Sequence, residues 1–194
     1  MIIYLIRHGE SASDIDNLYG GNYDDHLTEK GQNQARELAD KLTNNEIQII
    51  FSSPFIRAKE MADILKNTFN CDVQIINNIR ERNSYGFLTG TSKDKAKDEH
   101  HELVEKLKDY HFTMEGGEEY KNFTKRIRNA FNEITASKHE RIAIITHGGP
   151  IRCLFREVLK FGEFSEDLSD CAVIKLEKNG LNFKIVKMDG ATLT

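Results

Sequence analysis

Proline is nearly missing from this chain, with two residues in 194, and no low-complexity segment interrupts it. With 39% hydrophobic and 30% charged residues, the composition is that of an ordinary globular protein and excludes a largely disordered one. Cysteine is sparse as well. Cys71, Cys153 and Cys171 are odd in number, widely spaced and free of any CxxC pair. That pattern argues against a zinc ribbon or a disulfide framework and reads as free thiols in a reducing compartment. No stretch approaches the roughly 20 apolar residues that span a bilayer, and the short run Ile2–Ile6 meets Arg7 too soon for a signal peptide. A cytoplasmic protein with no membrane partner is expected. Basic residues are not in excess either: 27 stand against 31 acidic ones, for a net charge of −4. Nucleic acid is therefore not an expected partner. A small anionic ligand is still allowed, because a few arginines in a cleft can outweigh a mildly acidic surface.

What is present alternates. Ile2–Ile6 and Ile47–Phe51 are continuous apolar runs, as suits strands buried on both faces of a parallel sheet. Val73–Ile76 and Ile142–Thr146 give two more strands. Between them, Ala35, Leu38, Ala39 and Leu42 recur at helical spacing, as do Ile56, Met61, Ile64 and Leu65 behind Pro54, which is tolerated in a first helical turn. Further helices are expected over Asp94–Tyr110, over Glu118–Ala136 and after Pro150. Cys171–Glu177 and Leu181–Met188 flank Lys178-Asn179-Gly180 as a terminal hairpin. The expected fold is α/β: one domain over residues 1–194, with a mainly parallel sheet flanked by helices on both faces and a C-terminal hairpin. The polar, glycine-marked stretch 86–117 would form a small flap over the C-terminal strand edge.

In such sheets ligands gather outside the carboxyl ends of the strands. Arg7-His8-Gly9 follows the first strand, Ser52-Ser53-Pro54 the second, Glu81 lies shortly after the third, and His147-Gly148-Gly149 follows the fourth. Distant polar residues thus converge on one edge. Arginine forks suit phosphate oxygens, helix starts offer free N–H groups to an anion, a neutral histidine can attack phosphorus, and a carboxyl group can protonate the departing oxygen. These residue types together point to phosphoryl transfer.

The motifs are more specific than their chemistry. Arg7-His8-Gly9-Glu10-Ser11 is followed by Gly21, Asp24, Leu27-Thr28, Gly31 and Gln34-Ala35, then by Ser52-Ser53-Pro54 with Arg57-Ala58. Glu81-Arg82, Gly86 and Gly90, Gly117-Glu118 with Arg126, and Thr146-His147-Gly148-Gly149 complete the series. In this order the chain resembles the histidine phosphatase superfamily, which includes cofactor-dependent phosphoglycerate mutases. The resemblance implies that His8 accepts the phosphoryl group and that Arg7, Arg57 and His147 line the phosphate pocket, with Gly21 and Gly148 beside them. It implies Glu81 as general acid and then base, and requires neither cofactor nor metal.

Three departures from the family pattern stand out, of which the first and the last bear on substrate. Asp14 stands where relatives often carry a phosphate-contacting Asn, and a carboxylate there should repel a dianion unless an arginine pairs with it. One residue is inserted between Glu81 and Gly86. The segment Thr91–Gly117 offers Lys93, Lys95 and Lys97 but no arginine pair of the kind mutases use for a carboxylate. Hydrolysis of a small phosphorylated metabolite is therefore the expected reaction. A phosphoglycerate mutase or a weakly catalytic phosphate-sensing protein are the alternatives. Glu10 is expected to cap or orient. His100, His101 and His111 are expected to lie on an exposed polar segment without metal, and Asp24 is expected to have a structural role. A homodimer is allowed but not indicated.

Overall fold

The apolar runs become strands because they can bury both faces. The computed structural model describes residues 1–166 and 168–194. Its strands are β1 (Ile2–Arg7), β2 (Ile49–Ser52), β3 (Asp72–Ile75), β4 (Arg141–Thr146), β5 (Val173–Asn179) and β6 (Asn182–Asp189). They form one sheet in the order β3-β2-β4-β1-β5-β6. The pairs β3/β2, β2/β4 and β4/β1 are parallel, while β1/β5 and the hairpin β5/β6 are antiparallel. Ile3 and Leu5 point to one core, Tyr4 and Ile6 to the other. That alternation puts a helical layer on each face. The helices α2 (Glu29–Leu42) and α3 (Ile56–Phe69) cover one face through Ala35, Leu38, Met61 and Leu65. On the other, α5 (Tyr120–Thr135) and α6 (Gly148–Cys153) bury Phe123, Ile127, Phe131 and Ile151. Each of the larger side chains among them contributes about 1.5–3 kcal/mol on leaving water.

The sequence expectations hold at the level of elements and shift at the ends. Strand β3 is an edge strand with a largely exposed surface. Pro54 lies just ahead of α3 rather than in its first turn, and Asp24 caps that helix from a distance: its Oδ1 accepts from the Ile56 N–H at 2.6 Å. The flap helix α4 (Lys93–Lys106) is kinked at His100 and stops short of Tyr110. Bonds three residues apart tighten its end, from the N–H groups of Leu107, Lys108 and Asp109. Helix α6 continues as a π-helical turn over Leu154–Val158. The hairpin turn lies one residue later than expected, at Gly180-Leu181. A four-residue helix, α1 (Ala12–Ile15), follows the first strand and carried no sequence signal. The flap has a small core of its own, Leu88, Ala96 and Met114. Among the described residues no helix is long and apolar enough to cross a membrane.

The loop after β1 is held in place by glycine packing. A Cβ on Gly31, in the first turn of α2, would sit 2.0 Å from the Glu10 carbonyl oxygen, and one on Gly9 would sit 2.7 Å from the Gly31 oxygen. Thr28 caps the same turn by accepting from the Gly31 N–H. Gly31→Ala is expected to cost about 1–3 kcal/mol through overpacking. Urea denaturation of the variant against wild type measures this.

Candidate active site

Strand ends bring the predicted residues together. The parallel ladder runs past β1 and β2: the His8 N–H donates to the Thr146 carbonyl at 3.1 Å, and the Ser53 N–H to Ile145 at 2.9 Å. His8, Ser53 and His147 are thus fixed on one edge by backbone bonds. Beyond β3 a 3-10 turn over Asn77–Ile79 leads to Glu81, and the Thr146 hydroxyl ties this turn down by donating to the Ile79 carbonyl. Above that edge lies a cleft of about 420 Å³. Arg7, His8, Asp14, Gly21, Arg57, Glu81 and Gly148 all line it. His147 lies behind this lining, fully buried, with its ring centroid 5.0 Å from that of His8.

The tautomer of His8 follows from its neighbours. Nδ1 lies 2.7 Å from the Gly9 carbonyl, which can only accept, so Nδ1 carries the proton. Nε2 receives the Arg57 Nε–H at 3.2 Å, so it holds the lone pair. Burial, reinforced by the charges of Arg57 and Arg7, holds the imidazole pKa well below its ordinary value. His147 is held low by burial and by the same cations, and its Nε2 lies 2.7 Å from the Ser53 hydroxyl. Arg57 is itself almost wholly enclosed. Its Nη1 donates to Asp25 Oδ1 and to the Tyr23 carbonyl, both at 2.7 Å, and its Nη2 to the Gly21 carbonyl at 3.3 Å.

Half-buried Glu81 is placed differently. Its two oxygens accept from the backbone N–H groups of Arg82 (2.7 Å) and Gly149 (2.9 Å). Burial nevertheless raises its pKa above the ordinary carboxylate value. The approach to Gly149 demands glycine, since a Cβ there would come within 2.1 Å of the carboxylate. Asp14 faces the cleft but is not isolated. It accepts from the Ser11 N–H (2.9 Å) and hydroxyl (2.8 Å), and lies 3.8 Å from Arg7, which also meets Asp170 at 3.4 Å. Glu10 takes no part in the lining. It accepts from Thr28 and Lys30, whose hydrogen bond lowers its pKa, and so anchors the loop. Of the flap lysines Lys93, Lys95 and Lys97, only Lys93 lines the cleft. The flap histidines are separated: His100 packs edge-on against Phe87, and His111 against Tyr110 and Tyr120.

Against this geometry the comparisons fall into place. Residues 3–189 match the profile of the histidine phosphatase superfamily (branch 1). The chain belongs to that family. A curated relative, the 2,3-bisphosphoglycerate-dependent phosphoglycerate mutase of Parvibaculum lavamentivorans, is 33% identical over 172 residues, covering 84% of this chain and 81% of that protein. Two solved structures share the fold of this superfamily member. Bacillus stearothermophilus YhfR superposes with a TM-score of 0.86 at 23% identity, over 100% of this chain and 98% of that one. The alpha-ribazole phosphatase from Shigella flexneri gives 0.85 at 20% identity, over 100% and 99%.

Sequence reasoning gave Asp25 no role at the site. Its partner Arg57 is 32 residues away, and no spacing rule joins them. It gave no role to Tyr85 and Arg152, which line the cleft, and quoted Arg82 only as part of a motif. Two outcomes are expected. Asp25→Ala leaves a buried guanidinium without its counter-charge and costs about 3–5 kcal/mol, read from a denaturant midpoint. Asp14 is already paired with Arg7, so Asp14→Asn frees that guanidinium from one of its two carboxylates and is expected to raise turnover near neutral pH; unchanged or lower turnover in steady-state kinetics would reject this.

Proposed function

We propose that this protein hydrolyses the phosphate monoester of a small metabolite through a phosphohistidine on His8. The observation that carries the reading is the pairing, in one cleft, of a neutral His8 with its lone pair on Nε2 and a Glu81 carboxyl whose pKa is raised by burial. Two groups with opposite displacements make an acid and a nucleophile available at one pH.

In the first step Nε2 of His8 donates its electron pair to phosphorus as the bond to the ester oxygen breaks. Glu81 supplies the proton that this oxygen needs to leave as an alcohol. The guanidinium groups of Arg7 and Arg57 stabilise charge on the three equatorial oxygens, the largest electrostatic contribution in such displacements. In the second step Glu81, now a carboxylate, takes a proton from water. The hydroxide oxygen bonds to phosphorus, the P–N bond breaks, and inorganic phosphate is released with His8 neutral again. The Nδ1–H to Gly9 hydrogen bond keeps the ring in register through both steps.

A second reading is supported by the mutase name of the relative at 33% identity, a name that further curated relatives at 26% identity also carry. In a mutase the phosphohistidine is transferred back to a second hydroxyl rather than to water. Hydrolysis is favoured here because a mutase must keep that intermediate dry, and because the flap contributes a single lysine and no arginine to the cleft lining apart from Arg82 at its base.

Release of inorganic phosphate from a panel of esters, with and without a chelator, tests the proposal together with His8→Ala. Chelator-resistant release that disappears in the variant, with label from a 32P-ester retained on wild-type histidine, is the expected result. Release that survives in His8→Ala overturns it, and conversion of 3-phosphoglycerate to the 2-isomer without release selects the mutase. The pH profile has a fixed sign. His8 must be unprotonated, so the acid limb falls below its ordinary value of 6.5. Glu81 must be protonated for the first step, so the alkaline limb of kcat/KM lies above the ordinary 4.5.

A further inference from the structure

Glu81 is held by its backbone neighbours, and one of those neighbours also holds the flap. Arg82 donates its N–H to Glu81 Oε1 at 2.7 Å. Its side chain turns away and is almost wholly buried. There Nε donates to the Glu118 carbonyl (3.0 Å), Nη1 to the Tyr110 carbonyl (2.5 Å) and Nη2 to the Phe112 carbonyl (3.1 Å). The guanidinium lies over the Tyr120 ring, 5.3 Å from its centroid. A salt bridge would need one carboxylate; this arginine instead gathers three carbonyls from the segment that leads out of the flap to α5. Such a choice fixes backbone rather than charge.

A second arginine holds the same loop from the opposite side. Arg126, paired to both oxygens of Glu118 at 2.6 and 2.7 Å, donates to the carbonyls of Asn78, Arg80 and Glu81. The acid-bearing loop is therefore clasped between helix α5 and the flap. On the flap side the anchor is Tyr110, whose ring stacks 3.7 Å from the Arg156 guanidinium.

From these contacts we infer that Arg82 is a positioning residue that couples the seating of the flap to the placement of the Glu81 carboxyl, so that protonation of the leaving group depends on the flap being docked. This rests on the proposed role of Glu81. A flap that lifts draws on Tyr110 and Phe112, hence on Arg82, hence on one of the two N–H groups that aim the acid. The nucleophile His8 is held by β1, β4 and Arg57, and is not in this chain of contacts.

The signature is selective loss on poor leaving groups. Nitrophenolate leaves without a proton, whereas an aliphatic alkoxide does not. The measured quantity is the ratio of kcat/KM for the best aliphatic ester of the panel to that for p-nitrophenyl phosphate. In Arg82→Lys, where an ammonium cannot span three carbonyls, this ratio is expected to fall on the order of 10²-fold, the scale of a misplacement near 1 Å. In Tyr110→Ala, a half-exposed site that loosens the flap side alone, it is expected to fall in the same direction by less. Glu81→Gln serves as the reference. If Glu81→Gln leaves the ratio unchanged, the general-acid reading itself fails. If Glu81→Gln lowers it and Arg82→Lys, folded by thermal melt, does not, only the coupling fails. Should Arg82→Lys not fold, an unchanged ratio in Tyr110→Ala overturns the coupling by itself.

Discussion

A guanidinium buried beside two imidazoles sets the terms for the rest of this site. Arg57 comes from the first turn of α3 and reaches back to the loop after β1. Taking such a charge out of water costs several kcal/mol, offset here by Asp25 and two carbonyls. The result is a fixed positive charge against His8 and His147, and with their burial it makes protonation of either ring unfavourable. Asp25 acts in two directions, since its other oxygen accepts from the Ser13 N–H at 2.7 Å. The same carboxylate that balances Arg57 thus orders α1 and the Asp14 carboxyl on it.

Charge at Arg7 is balanced otherwise. Asp14 and Asp170 flank it from two segments, and its Nη1 also donates to the Leu168 carbonyl. An anion entering the cleft meets one guanidinium already screened by two carboxylates and another committed to one.

Much of this was legible in the sequence, for physical reasons. Ile2–Ile6 and Ile142–Thr146 read as central strands because burial on both faces leaves no polar alternation, and β1 and β4 do pair in the middle of the sheet. His8, Glu81, Arg57 and the glycines after His147 follow strand ends, so the topology alone gathers them at one edge. Contacts that depend on side-chain reach were not legible. Asp24 capping α3, Asp25 pairing with Arg57 and Arg82 gripping the flap each join segments some 30 residues apart. The end of α4 was misplaced because hydrophobic spacing continues past Lys106 while tertiary bonds draw the backbone away. Glu118 was placed in a helix by its neighbours' pattern, yet it lies ahead of α5 and faces Arg126 instead.

The hairpin strand β6 closes one side of the sheet, and among the described residues no further strand pairs with its outer margin. Lys184 and Lys187 stand exposed on it, and the register slips between Lys175 and Leu176 of its partner. A foreign strand docking there would have to desolvate two ammonium groups and follow a bent template. That margin is therefore a poor template for a further strand, and crowding this protein is not expected by itself to recruit neighbours into a continuous ribbon along it.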